Sequence, residues 1–182
     1  MRTELSNDVV RIRRYRAADA PLLFEAALES VNEMFTWVSW CHPNYTVEES
    51  QSFVLSSENA WNQKTTFDFA VFDASSGLFL GGVGLNQIKR KNNFANLGYW
   101  VRSGQTRRGV ATAATLLAAE FGFEDLRLNR IEILTALENV ASQRVAEKVG
   151  AKKEGILRSR LVLHNRPQDA VMYSLIVADK NI

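Results

Sequence analysis

This chain is expected to fold as one α+β domain, a mixed and mostly antiparallel central sheet flanked by helices. Three observations predict it. Short segments rich in aromatic and β-branched residues recur, among them Phe67 to Phe72 (FDFAVF), Asn96 to Val101 (NLGYWV) and Arg130 to Ala136 (RIEILTA); such segments suit the pleated, half-buried surface of a strand. Stretches with apolar residues at helical spacing separate them. The resulting order, βααβββαβαββ, keeps several strands consecutive, as antiparallel neighbours prefer, yet inserts helices late in the chain. With 182 residues and no repeat, low-complexity tract or linker, the chain has the length of one domain, 1–182.

The elements follow in order. Val9 to Arg14 (VVRIRR) alternates apolar and charged side chains, the pattern of an edge strand. A helix comes next, with Asp19 as its cap, Pro21 in the first turn, and a stripe of Leu22, Leu23, Ala26, Ala27 and Val31. Thr46 with Glu49 has capping-box spacing and opens a second helix towards Trp61. Phe67 to Phe72 and Leu78 to Ile88 form a hairpin through Ser75-Ser76-Gly77. Lys89 to Asn93 is a polar turn into the Asn96–Val101 strand. The third helix, Ala111 to about Phe123, carries Ala114, Leu117, Ala118 and Phe121 on one face. After Arg130–Ala136, a short helix from Ser142 to Val149 stops at Gly150, a residue that readily turns left-handed. Two closing strands lie near Lys153–Leu157 and Ala170–Val177, with the polar segment Arg158 to Gln168 between them.

Composition excludes several classes of function. Hydrophobic residues make up 46% and charged residues 23%, proportions that fit a globular chain in water. No apolar run approaches the ~20 residues of a membrane span, and the first residues lack the apolar core of a secretory signal. Cys41 is the only cysteine, so neither an intrachain disulfide nor a cysteine-rich metal site is expected. The cytoplasm is the expected location, without a membrane partner. A net charge of +2 is too small to argue for nucleic acid. Basic groups at Arg11–Arg16, Lys89–Lys91 and Arg158–Arg166 read as solvated faces.

One turn carries chemistry. Gln105-Thr106-Arg107-Arg108-Gly109-Val110-Ala111-Thr112 connects the NLGYWV strand to the third helix. A glycine-containing turn at a helix start presents backbone N–H groups at a positive helix end, a ready site for phosphate. By itself such a turn is also a plain strand–helix connection. Further on come Arg130-Ile131-Glu132-Ile133, Asn139-Val140-Ala141-Ser142 and Val149-Gly150-Ala151. In that order and spacing the chain resembles the GCN5-related N-acetyltransferases, which bind acetyl-coenzyme A. Its NxxS and GYWV segments resemble the branch that acetylates ribosomal-protein N-termini, and the resemblance covers nearly the whole chain.

The resemblance implies a set of roles. Backbone donors of Gly109, Val110, Ala111 and Thr112 would hold the coenzyme's phosphates, with Arg107, Arg108 and Lys148 meeting the remaining charge. Tyr99, Trp100 and Val101 would pair with its pantetheine arm as an extra strand does. Asn139 would hydrogen-bond the cofactor or an ordered water. Thr106 stands where the family carries glutamine or arginine, a mild departure because backbone donors do the holding. Many members use a tyrosine in the short helix to protonate the leaving thiolate, and Ala146 occupies that place. In the ribosomal-protein branch the serine of the NxxS segment acts instead, which matches Ser142; otherwise Ser142 is only a helix cap.

The base stays unassigned. The family's acidic positions hold Asn96 and Leu161, so an ordered water held by Asn96 or by a backbone carbonyl would remove the proton. Asp68, Glu132 and His42 are further candidates, or else structural and surface residues. Trp37 and Trp40, between the first two helices, either form a wall for the acceptor's first side chains or close the core. His164, Arg158, Arg160 and Arg166 would lie on the opposite wall. The expected reaction is direct transfer of acetyl to a primary amine, with a protein N-terminus preferred. A polyamine or antibiotic amine, or a non-catalytic acyl-CoA-binding module, is the alternative. A monomer or homodimer is expected.

Overall fold

The computed structural model describes residues 1–179, so the end of the expected 1–182 domain lies outside the described residues. The strands are β1 (Glu4–Ser6), β2 (Val10–Arg14), β3 (Phe67–Asp73), β4 (Phe79–Lys89), β5 (Phe94–Val101), β6 (Arg130–Ala136), β7 (Lys152–Leu163) and β8 (Arg166–Ile176). The helices are α1 (Ala20–Met34), α2 (Val47–Gln63), α3 (Val110–Glu124) and α4 (Val140–Lys148). The strands form one sheet in the order β1-β2-β3-β4-β5-β6-β8-β7. Every neighbouring pair is antiparallel except β5 and β6, which run parallel.

Alternation along each strand sends apolar side chains to two separate cores. On one face, Ile12, Phe69, Leu85, Leu97 and Ile131 pack with Ala118 and Phe121 of α3. Trp61 closes this core, its ring 4.9 Å from Phe67 and 5.6 Å from Phe121 between centroids. Burying a ring of this size contributes about 1.5–3 kcal/mol. On the other face, Ala70, Phe72 and Phe79 meet Ala20, Leu23 and Ala26 of α1. The capping box of α2 forms as its sequence suggests: Glu49 N–H donates to Thr46 Oγ1, and Thr46 N–H to the Glu49 carboxylate at 2.9 Å.

Four details differ from expectation. Val10–Arg14 is an inner strand, because β1 pairs outside it. Its charged face is covered: Arg13 pairs with Asp19 at 2.7 Å and lies over the Phe72 ring. Asp19 stands at the N-cap position of α1 but its side chain makes no capping bond there; it is buried, and its carboxylate accepts from Arg13 and from the Arg16 N–H. Leu22 leaves the apolar stripe and stays exposed, while Ser30 and Met34 join the buried face. The segment from Arg158 to Gln168 is no loop but the continuation of β7 and β8, which turn over at His164 and Asn165 with left-handed backbones. Ladder hydrogen bonds across the hairpin outweigh its polar composition, since an exposed hairpin satisfies its backbone without an apolar face.

Candidate active site

The sheet splits where its one parallel pair ends. β5 and β6 are paired only from Phe94 to Asn96 and from Arg130 to Glu132. Beyond that point Leu97–Val101 keeps β4 on one edge, and its other edge is open. An open strand edge offers alternating N–H and C=O groups to an extended chain. Tyr99, Trp100 and Val101 all lie along it, so an arm with two amides has partners there.

The edge leads directly into the phosphate-type turn. Gly109 is the residue before α3 and has φ 79°, so the left-handed backbone is what calls for glycine here. It supplies no capping side chain, and the first helical bond runs from Ala113 N–H to Gly109 C=O at 2.9 Å. The N–H groups of Val110, Ala111 and Thr112 thus have no partner within the helix. A Cβ at Gly109 would meet nothing within 4 Å, so the space beside the Gly109 backbone is open. Arg107 and Arg108 are exposed beside it and form no ion pair among the described residues. Free donors, open space and two cations fit a pyrophosphate. Lys148, in the last turn of α4, is exposed.

Arg102, absent from the sequence-based set, anchors this turn. Its buried guanidinium pairs with Glu25 at 3.0 Å and with Glu29 of α1. Glu29 also accepts from Gly104 N–H at 2.7 Å, and Ser30 Oγ accepts from Ser103 N–H at 3.0 Å. These bonds tie the entrance of the turn to α1. A lone arginine just after a strand gives no sequence signal, because its carboxylate partners lie more than seventy residues away.

Opposite the split, α4 brings Ser142 to Tyr99. The Tyr99 hydroxyl lies 2.9 Å from the Ser142 carbonyl and 3.1 Å from Ser142 Oγ. Burial pushes the Tyr99 phenol up to about 12, with the Ser142 contact opposing it. Tyr99 is thus a neutral donor at physiological pH. Ser142 is not the cap of α4: Asn139 is, its Oδ1 accepting from Ser142 N–H at 3.0 Å. Ala146 is fully buried in the core, where a tyrosine ring would not fit without displacing neighbours. Asn139→Ala should therefore lower unfolding free energy by about 1 kcal/mol. Denaturant titration checks this, with Ser142→Ala losing much less.

The remaining candidates separate clearly. Trp40 packs edge-on against Trp100 at 5.4 Å and Tyr45 at 5.8 Å, and stays 37% exposed. Trp37 is partly buried and makes no ring contact among the described residues. His42 pairs with Glu49 at 3.0 Å, and Glu132 with Arg130 at 2.9 Å. Asn96 donates from Nδ2 to Asn86 Oδ1 at 3.0 Å. Leu161 faces Gln168 across the closing hairpin. At the hairpin tip, His164 Nε2 lies 2.6 Å from the Phe35 carbonyl, and the two rings meet tilted, 4.3 Å between centroids. The β7–β8 hairpin therefore reaches the segment after α1, with Arg158, Arg160 and Arg166 exposed. Cys41 is fully buried, donates to the Ala27 carbonyl, and burial pushes its thiol up to about 11. That thiol is a poor nucleophile.

Comparison with known proteins agrees with this geometry. The acetyltransferase (GNAT) domain family matches residues 10–152. The probable N-acetyltransferase YjcK of Bacillus subtilis is 30% identical over 136 residues, covering 74% of this chain and 75% of that protein. The ribosomal-protein-serine acetyltransferase of Escherichia coli is 26% identical over 98 residues, covering 54% of this chain and 55% of that protein. RimL, a ribosomal alpha-N-protein acetyltransferase solved in complex with coenzyme A, is 19% identical and has the same fold, with a TM-score of 0.85 over 95% of this chain and 97% of that chain. With a split sheet, a phosphate-type turn and a domain match over most of its length, the chain belongs to the GNAT family of acetyltransferases.

Proposed function

We propose that this acetyltransferase moves the acetyl group of acetyl-coenzyme A directly to a primary amine at a protein N-terminus. The observation that carries the reading is the open edge of Tyr99–Val101, which runs from the donors at Val110–Thr112 past the Tyr99–Ser142 pair. Coenzyme A supplies the activated acetyl when bound; the chain supplies orientation and proton transfer. The turn holds the phosphates, β5 aligns the arm, and Ser142 gives its hydroxyl proton to the departing sulfur. A thiolate is a fair leaving group, so a weak acid suffices. The buried, weakly acidic Cys41 removes the need for a covalent acetyl-enzyme.

The walls favour a peptide end over a polyamine. One wall is aromatic, built from Trp40, Trp100 and Tyr45. The hairpin opposite carries exposed arginines, which repel a polycation. The nearby acidic side chains Glu25, Glu29 and Glu33 are engaged with Arg102 and Ser103. The relatives named for ribosomal proteins and alpha-N-protein acetylation support the same acceptor class.

Free-thiol release from acetyl-coenzyme A should rise with N-terminal peptides and stay at background with spermidine and aminoglycosides. Background release with every peptide would refute the acceptor. Initial rates at several fixed acetyl-coenzyme A levels should give intersecting double-reciprocal lines; parallel lines would contradict direct transfer.

A further inference from the structure

We propose that Asp68 is the general base of this reaction, taking the proton of the acceptor amine as its nitrogen bonds to the acetyl carbon; this rests on the N-acetyltransferase reading above. Asp68, Gly84 and Gly98 stand in register across β3, β4 and β5. On the sheet face towards α1 and α2, that row holds one side chain and two glycines. A Cβ on Gly84 would lie 2.3 Å from Asp68 Oδ1, so the carboxylate reaches across Gly84 towards β5. Above Gly98 a Cβ would meet only Asn86 Nδ2, at 3.9 Å. The place beside the carboxylate is an open pit.

Its surroundings suit an amine. Along β4, Gly82 makes room for the Tyr15 hydroxyl and the Trp100 indole N–H, each 2.7 Å from where its Cβ would sit. The Asn86–Asn96 pair closes the other end, and Trp40 leans on Trp100 at the rim. The titratable and charged groups on the packed elements are Tyr15, Tyr45 and the Arg13–Asp19 pair, and Arg13 is engaged by Asp19. Among the described residues, the Asp68 carboxylate accepts no hydrogen bond and faces no free cation. Burial without compensation pushes its carboxyl up to about 6. A partly buried carboxylate, uncompensated and beside open space, is costly for stability and suited to proton transfer near neutrality.

The two proton-handling groups then lie on opposite sides of one strand. Gly98 and Tyr99 are successive residues, so their directions are opposed. Asp68 lies on the Gly98 side and the Tyr99–Ser142 pair on the other. As the amine nitrogen bonds to the acetyl carbon, Asp68 accepts the N–H proton. As the carbon–sulfur bond breaks, Ser142 gives its hydroxyl proton to sulfur and recovers one through Tyr99 from water. Asp68 releases its proton to solvent, leaving an amide and a free thiol.

The test is the pH dependence of kcat/KM for the wild type, Asp68→Asn and Asp68→Glu, with coenzyme A affinity and melting temperature measured alongside. General-base assistance is typically ~100- to 10,000-fold, so Asp68→Asn should lose at least ~100-fold in turnover while coenzyme A affinity stays within about twofold. The wild-type profile should carry a limb near the carboxyl's value of about 6, absent from Asp68→Asn and displaced in Asp68→Glu. The remaining limb, near ~8, belongs to the free α-amine. The folded carboxyl holds its proton more tightly than the ordinary value of 3.8, so the wild type loses stability as pH rises from that value to about 6. The amide has no such loss, and Asp68→Asn should melt at or above the wild type at pH 8. Wild-type turnover in Asp68→Asn, or an unmoved limb in Asp68→Glu, would overturn the proposal. So would a lowered melting point with lost coenzyme A binding, which would mark Asp68 as structural. Absence of transfer by the wild type itself to any acceptor would refute the proposed function, and that arm is read without either variant.

Discussion

Gly109→Glu should abolish coenzyme A binding and leave the fold largely intact. The local cost is modest: placing an L side chain at φ 79° costs about 1–2 kcal/mol, and the new side chain would meet no protein atom within 4 Å. The ligand sees a different change. The carboxylate would stand in front of the N–H groups of Val110, Ala111 and Thr112, filling the open space and accepting their hydrogen bonds. Each hydrogen bond to a charged group is worth about 1.5–3 kcal/mol net. Losing two of them lowers affinity ~100-fold or more, before any repulsion between carboxylate and phosphate. Gly109→Ala is the control, because it carries the same backbone strain with less bulk and no charge. Titration calorimetry should show no heat for Gly109→Glu and measurable binding for Gly109→Ala. Normal affinity in the glutamate variant would place the phosphate site elsewhere.

Ser142→Ala should lower turnover by up to about 100-fold, the low end for acid assistance, because the leaving thiolate needs little help. Coenzyme A affinity should stay nearly unchanged, since the role proposed for the hydroxyl falls where the carbon–sulfur bond breaks. Stability should also hold, because Asn139 rather than Ser142 caps α4. Tyr99→Phe tests the contact behind it. It removes the hydroxyl 3.1 Å from Ser142 Oγ and should reproduce part of the turnover loss. If both effects reflect one unit, the double variant should lose little more than Ser142→Ala alone. Unchanged turnover in Ser142→Ala would remove this hydroxyl from the chemistry.

Much of the fold was legible locally. The capping box at Thr46 and Glu49, the Ser75-Ser76-Gly77 turn and the stop at Gly150 each depend on residues within a few positions, and each formed. The strand Arg130–Ala136 kept its expected bounds because its apolar alternation needs no partner to be seen. The edge placement of Val10–Arg14 failed for the opposite reason. Alternation reports which face a residue takes but not what pairs alongside, and β1 lies outside it. The Arg158 to Gln168 segment was obscured because its partner strand, rather than its composition, holds it extended.

The functional site divides along the same line. By itself, the sequence determined the family, the phosphate-type turn at Gly109, and Ser142 as the serine of its NxxS segment, because these are contiguous motifs whose backbone demands are local. Only the tertiary structure decided which groups meet. Tyr99 reaches Ser142 across forty-three positions, Arg102 reaches Glu29 across seventy-three, and Asp68 lies over Gly84 on the adjacent strand. Such contacts depend on strand register and on where the β5–β6 pair opens. Both are set when the two cores and the sheet ladder form together.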